Sequence, residues 1–443
     1  MAYRVGMVSL GCAKNQVDAE MMMATLKKAG YQLENDPAHA DVAIVNTCGF
    51  INAAKKESIE EILELARLKA EGKIKAIVVT GCMAERYREQ ILEELPEVDA
   101  VAGIGADSDI AAVIEKALGG ERTELFPEKT LLPLCGERAL STPSYTAYLK
   151  IAEGCDNRCA YCAIPFIRGR YRSRTIENII EEAQGLARNG AKELILIAQD
   201  TTRYGWDIYG KLMLSQLLKE LCKIDGIEWI RILYCYPDSI TDELLETIAK
   251  EDKIVKYIDL PLQHCSARLL KAMRRSGSRG ELTALIQKMR AAIPNLILRT
   301  TLITGFPGET EEDFTELAEF VRDIRFERLG CFAYSQEEGT AAAEMPDQID
   351  EEVKQHRMEL IMEDQMNIMQ SWGDSMVGKT LNVLVEGFDR LAECWFGRSW
   401  ADSPDIDGKI FFTSQGKKPK IGTFTEVLIT DCIDGDLTGE KVK

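Results

Sequence analysis

Over the first 120 residues the apolar positions fall into short unbroken runs separated by stretches of helical period. Val5–Leu10, Val42–Asn46 and Ala76–Thr80 read as strands buried on both faces, with helices over Asn15–Ala29 and Ile51–Ala70 between them. Strand–helix alternation predicts an open parallel sheet with helices on its faces. Gly119–Ser144 has Pro, Gly and mixed charge without period, and reads as a linker. From Tyr145 to about Gln336 the alternation resumes. Ile176, Ile179, Ile180, Ala183, Leu186 and Ala187 keep helical spacing until Asn189-Gly190, after which Leu194–Ala198 forms a strand. Further strands are expected at Thr146–Glu153, Trp229–Tyr234, Tyr257–Leu260, Leu296–Ile303 and Leu329–Tyr334, with capping boxes at Ser239…Asp242 and Thr310…Asp313. Six strand–helix units suggest an incomplete (β/α)6 barrel.

Residues 350–372 read as one Glu/Met/Gln-rich helix. Short strands then follow at Leu381–Glu386, Cys394–Phe396, Lys409–Phe412 and Thr425–Ile429, as in a small all-β barrel. The fold class is therefore α/β, with an N-terminal open parallel-sheet domain, a central partial barrel and a C-terminal β-barrel. The expected divisions are 1–120, a linker over 121–144, a core over 145–372 and a terminal domain over 373–443.

With 46% hydrophobic and 28% charged residues the chain is a globular protein, not a disordered one. No stretch of eighteen apolar residues exists, and the first residues, MAYRVGMVSLGCAKNQ, form a strand pattern and not a signal peptide, so a cytoplasmic protein without a membrane span is expected. The net charge of −18 argues against broad phosphate neutralisation and fits a basic protein partner better than naked nucleic acid. Residues 374–443 alone hold nine Lys/Arg and twelve Asp/Glu, although Lys417, Lys418 and Lys420 make one local basic spot for RNA. Thirteen cysteines, an odd number, make a disulfide framework a poor explanation of their use.

Three of them stand as Cys155-Asp156-Asn157-Arg158-Cys159-Ala160-Tyr161-Cys162, just past the first barrel strand. A C-x₃-C-x₂-C loop brings three thiolates onto one four-iron cubane and leaves one iron without a protein ligand. That open iron can chelate S-adenosylmethionine (SAM), and electron transfer can then release a 5′-deoxyadenosyl radical. Zinc is the competing reading, but it usually takes four protein ligands, and no fourth stands nearby in sequence. A second trio is dispersed. Cys12, Cys48 and Cys82 each follow an expected strand, separated by 36 and 34 residues, so parallel strands would carry all three to one carboxyl edge. They could hold another three-ligand cluster, or they could be buried small hydrophobes. Leu302–Thr310 is a glycine-rich turn whose amides, Gly305 among them, could face SAM or simply make a good turn. Gln199 and Asp200 end the second barrel strand, where they could orient a ligand or cap the turn. Arg168, Arg170, Arg172 and Arg174 could grip a substrate, although such runs are usually solvated. His264 reads as structural, and the remaining seven cysteines have no partner spacing.

The order of three spread cysteines, a clustered trio and a terminal β-barrel resembles the radical SAM methylthiotransferase family over nearly the whole chain. The resemblance implies a TRAM domain at the C-terminus and two 4Fe–4S clusters, one on Cys155, Cys159 and Cys162 and an auxiliary one on Cys12, Cys48 and Cys82. It implies SAM as methyl donor and radical source, with SAM contacts at Tyr161, Gln199, Asp200 and Gly305. Ser9–Asn15, Asn46–Ile51, Gln199–Thr202 with Tyr204-Gly205, and Gly330–Ser335 are similar to the branch that methylthiolates the β-carbon of an aspartate in ribosomal protein uS12. The tRNA-modifying branch, whose target is an adenosine, usually has an asparagine-rich stretch at the position of Gln199–Thr202. Ala13 departs from the proline common in relatives and leaves the ligands untouched. The partners implied are uS12, a one-electron donor such as a flavodoxin, and a sulfur donor. A protein of another class, an iron–sulfur electron carrier or ribosome-binding factor, would bind clusters without cleaving SAM.

Overall fold

The computed structural model describes residues 3–131 and 134–442. Its first sheet has six parallel strands in the order Gln32–Glu34, Arg4–Ser9, Val42–Thr47, Ala76–Gly81, Ala100–Ala102 and Thr123–Leu125. The two central strands, Val42–Thr47 and Ala76–Gly81, are buried along their whole length, as their unbroken apolar runs require. Two calls need correction here. Thr123–Leu125 lies inside the stretch read as linker yet adds the sheet's last strand. The helix expected from Ser239 starts later: Thr241 is its N-cap, accepting from the Leu244 N–H at 3.2 Å.

The second sheet is the partial barrel, six parallel strands in chain order: Thr146–Lys150, Glu193–Ile197, Trp229–Ile232, Ile254–Asp259, Ile297–Thr304 and Arg328–Ala333. Between them run amphipathic helices such as Ile176–Arg188 and Glu311–Ile324, whose apolar faces join one continuous core with the strands. The Thr310 cap is the expected box, with the Asp313 carboxylate accepting back from the Thr310 N–H at 3.0 Å. The helix Glu351–Asp374 lies along the last barrel strand and leads into a closed five-stranded barrel. That barrel's fifth strand, Asp436–Lys441, is one the sequence pattern did not separate.

The first helix, Ala13–Lys28, serves two domains. Ala19, Met22 and Leu26 pack into the N-terminal sheet, while Val17 and Met21 pack against Tyr148, Ile195, Ile197 and Tyr257 of the partial barrel. The terminal domain reaches the same interior with Ala401, fully buried. Glu193 lies between Arg231 and Arg398 at 2.9 and 2.8 Å, and Arg328 donates to Asp402 at 2.6 Å. Among the described residues no helix is long and apolar enough to cross a membrane.

Candidate functional site

The strand order of the first sheet sets Arg4–Ser9 directly beside Val42–Thr47, with Gln32–Glu34 on the outer side of the former. Connections leave in opposite directions there, and the crevice at such a switch point is where open α/β sheets bind ligands. Cys12 and Cys48 follow these two strands, and Cys82 follows the next. Gly11 and Gly81 precede Cys12 and Cys82 in left-handed conformation, φ 89° and 93°. A Cβ on Gly11 would lie 2.8 Å from the Cys48 Cβ, and one on Gly81 would lie 2.5 Å from the Thr47 carbonyl oxygen. Asn15 ties the strand ends together, its Nδ2 donating to the carbonyls of Leu10, Asn46 and Thr47 at 2.8, 3.3 and 3.2 Å. Burial raises the Cys48 thiol and pushes Cys82 up to about 12. At Cys12 burial is outweighed by the charges of Lys14 and Arg168, and the thiol is lowered.

The clustered trio sits at the carboxyl end of the partial barrel. Gly154, φ 75°, has the Arg170 carbonyl oxygen 2.1 Å from where a Cβ would be, so the loop can begin only on glycine. The Cys155 N–H donates to Gly169 O at 3.1 Å and the Ala160 N–H to Met273 O at 2.9 Å, fixing both sides of the loop. The Cys159 sulfur lies 3.8 Å from the Tyr236 hydroxyl and accepts from Arg275 Nη1 at 3.9 Å. Arg275 also stacks on Tyr236 at 4.1 Å and donates to the Tyr161 hydroxyl at 3.5 Å. Burial pushes Cys155 and Cys162 up to about 12. Thiols in that state ionise when a metal takes the place of the proton. A cavity of about 610 Å³ opens over the three sulfurs, walled by Phe166, Arg274 and Glu344 among others. Among the described residues no three His, Cys, Asp or Glu side chains converge tightly enough for a single metal ion.

The other expected contacts divide. Gln199 donates to Glu153 Oε1 at 3.3 Å, and its own Oε1 is buried without a partner, an acceptor left for a ligand's donor. Asp200 is occupied by protein donors: Asn157 of the cysteine loop at 3.0 Å, Thr202 at 2.7 Å and the Arg203 N–H at 3.2 Å. It holds the loop to the barrel, and burial raises its carboxyl. Tyr161 lies between two of the cysteines, with its hydroxyl held by Arg275. The Gly305 N–H is taken by Glu309 at 2.9 Å, and its Cα faces Lys354.

Between the trios lies a group of buried charges that sequence reading left on the surface. Arg168 donates to Asp18 Oδ2 at 2.9 Å, to both oxygens of Glu153 at 3.1 Å, and to the Cys82 sulfur at 3.7 Å. Lys150 completes the set, 2.6 Å from Asp18 and 2.9 Å from Glu153. Burial works against the Glu153 carboxylate, but Arg168 and Lys150 hold it well below the usual range. The spacing of Arg168, Arg170, Arg172 and Arg174 carried no hint of this, because a five-residue helix ends at Arg168 and turns it inward while Arg170 stays exposed.

Three family descriptions match the chain: the uncharacterized protein family UPF0004 over residues 4–103, the radical SAM superfamily over 149–321 and the TRAM domain over 377–442. A relative from Thermoanaerobacter sp., the ribosomal protein uS12 methylthiotransferase RimO, is 51% identical over 98% of this chain and 99% of its own length. RimO from Pelotomaculum thermopropionicum is 51% identical over the full length of both chains. Among solved structures the radical SAM methyltransferase TsrM from Kitasatospora setae is similar in fold, with a TM-score of 0.56 at 15% identity over 75% of each chain.

Proposed function

The chain belongs to the ribosomal protein uS12 methylthiotransferase family of radical SAM enzymes, and from that premise we propose how its own residues divide the work. It methylthiolates uS12 with SAM. The tRNA-adenosine alternative is not favoured, since relatives matching along the whole chain at about 50% identity carry the uS12 name.

We assign one 4Fe–4S cluster to Cys155, Cys159 and Cys162 and a second to Cys12, Cys48 and Cys82. The observation that carries this assignment is the arrangement of two trios of free thiols, each at the carboxyl edge of a parallel sheet and each with an arginine donating to one sulfur. When bound, the clusters and SAM supply the one-electron chemistry that opens an unactivated C–H bond and the sulfur and methyl group that replace its hydrogen. The chain does the rest. Gly154, Asn157 and Asp200 hold the Cys155–Cys162 loop at the barrel mouth. Gln199 Oε1 offers an acceptor to SAM, and Arg275 fixes Cys159 and Tyr161 together. Phe166, 65% exposed, stands at the rim of the cavity and offers an apolar contact to the incoming protein segment. No side-chain general base is required, because hydrogen is removed as an atom and not as a proton.

The cycle further requires a low-potential one-electron donor, a flavodoxin being the expected class, and a sulfur donor. A cytoplasmic location follows from a ribosomal target. Iron and sulfide quantitation on anaerobically reconstituted protein tests the two-cluster assignment. Substituting Cys12, Cys48 and Cys82 together by Ala is expected to halve the iron while leaving 5′-deoxyadenosine formation measurable and abolishing methylthiolation of uS12. Unchanged iron in that variant refutes the second cluster.

A further inference from the structure

The N-terminal trio is surrounded by buried charge. Beside the N-terminal trio stands Arg168, 1% exposed, with Nη2 3.7 Å from the Cys82 sulfur. Lys14 stands on the same side, two residues from Cys12. Its side chain is buried, its ammonium lies 3.1 Å from the centroid of the Tyr234 ring, and it has no carboxylate partner among the described residues. The carboxylates of this region, Asp18 and Glu153, are matched one for one by Arg168 and Lys150. The unmatched charge is therefore the Lys14 cation. Asp107, which faces the same group, has its carboxyl pushed up to about 7 by burial and by Asp18, which lessens its countercharge.

The barrel trio has a cation of its own, likewise without a carboxylate partner among the described residues. Arg275 donates to Cys159. Asp200 and Asp156 are the carboxylates whose charges reach Cys155, and both stand on or against its loop. The other cations lining its cavity, Arg158 and Arg274, are exposed to water, and Arg170 is paired with Asp156 at 2.6 Å. Exposed charges are screened, whereas a buried cation acts on its neighbour in low dielectric.

We propose that Arg168, together with Lys14, raises the reduction potential of the N-terminal cluster. Arg168 acts here as a positioning and electrostatic residue, through Cys82. The proposal rests on the two-cluster reading above. The step is a one-electron reduction: the electron comes from a low-potential one-electron donor, no covalent bond of the protein breaks, and the charge beside Cys82 falls by one. A cation hydrogen-bonded to a ligand sulfur stabilises the reduced form more than the oxidised one. The guanidinium is also pinned by Asp18 and Glu153, so its distance to the sulfur is fixed in both states.

The test is a redox titration of the anaerobically reconstituted full-length chain, with dithionite as reductant and electron paramagnetic resonance as readout. The signal of each trio is identified in chains whose other trio is replaced by Ala. Arg168→Gln is expected to lower the reduced-to-oxidised ratio at that site about tenfold at fixed potential, which is about 59 mV for one electron. Arg168→Lys is expected to restore most of it, and the barrel signal is expected to stay in place. A site that does not move, or two signals that move together, overturns the proposal. Should Arg168→Gln fail to take up iron, Lys14→Gln decides it: a shift in the same direction at the N-terminal site supports the proposal, and no shift overturns it. A parent chain with iron in one trio only would instead refute the two-cluster reading.

Discussion

At the scale of single residues the site depends on a few positions that accept no substitute. Gly154→Ala puts a methyl group against the Arg170 carbonyl in a left-handed backbone. The expected result is loss of the barrel cluster's iron and of 5′-deoxyadenosine formation, with the N-terminal cluster retained. Colorimetric iron analysis checks it, and full iron content would contradict it. Asp107 gives a pH signature. Its carboxyl stands at about 7, raised by burial and then by Asp18, against an ordinary 3.8. The folded chain therefore holds that proton more tightly than the unfolded chain. The resulting stability is complete below about 4 and is lost as the pH climbs through about 7. Asp107→Asn is expected to flatten that decline in urea-unfolding curves recorded across this range. The cysteines themselves were legible because spacing is local chemistry written in the sequence. Arg168 and Arg275 were not, because nothing in an arginine's neighbours along the chain says which thiol its guanidinium will meet. Gln199 was placed at the strand end by its position, but the orphaned Oε1 becomes visible only once Glu153 has taken its amide.

At the scale of elements, the strands buried on both faces announced themselves as unbroken apolar runs, and long amphipathic helices announced themselves by period. What escaped were the three-residue strands Gln32–Glu34, Ala100–Ala102 and Thr123–Leu125. Three residues cannot display a period of two convincingly, and these strands exist because a neighbouring strand offers its backbone. The same holds for Asp436–Lys441, polar along most of its length yet needed to close the terminal barrel between Ile410–Thr413 and Phe424–Ile433. Caps were legible where side-chain spacing was complete, as at Thr310 and Asp313. They shifted by two residues where Ser239 and Thr241 competed for the same role. Thr310→Ala is expected to cost about 1 kcal/mol of stability, as loss of an N-cap does, and the midpoint of chemical unfolding measures it. An unshifted midpoint would mean that the Asp313 half of the box suffices alone.

At the scale of the whole molecule, the order of the three folded units could be read from the alternation of patterns, but not how they join. Each junction joins apolar packing to an ion network between residues far apart in sequence. Glu193 shows the consequence. Burial opposes its charge, yet Arg398 and Arg231 hold its carboxyl at about 2, below the ordinary 4.5. A depressed folded value means that this stabilisation is present above about 4.5 and is lost as the pH falls through about 2. Arg398→Met leaves the carboxylate with one cation in a buried setting and is expected to destabilise by roughly 3–5 kcal/mol. Limited proteolysis would then release the terminal domain from the barrel at neutral pH, where the parent chain resists. Equal resistance in the variant would show that Ala401 and its neighbours hold the junction without the pair.

The helix Ala13–Lys28 is shared between two units that leave the ribosome at different times. When the N-terminal sheet has emerged, Val17 and Met21 have nothing to cover them, because Ile195, Ile197 and Tyr257 are still to be made. The nascent chain therefore carries an apolar stripe into the crowded exit region for as long as the middle of the protein takes to appear. Slow translation through that middle would prolong the exposure and invite aggregation or chaperone capture.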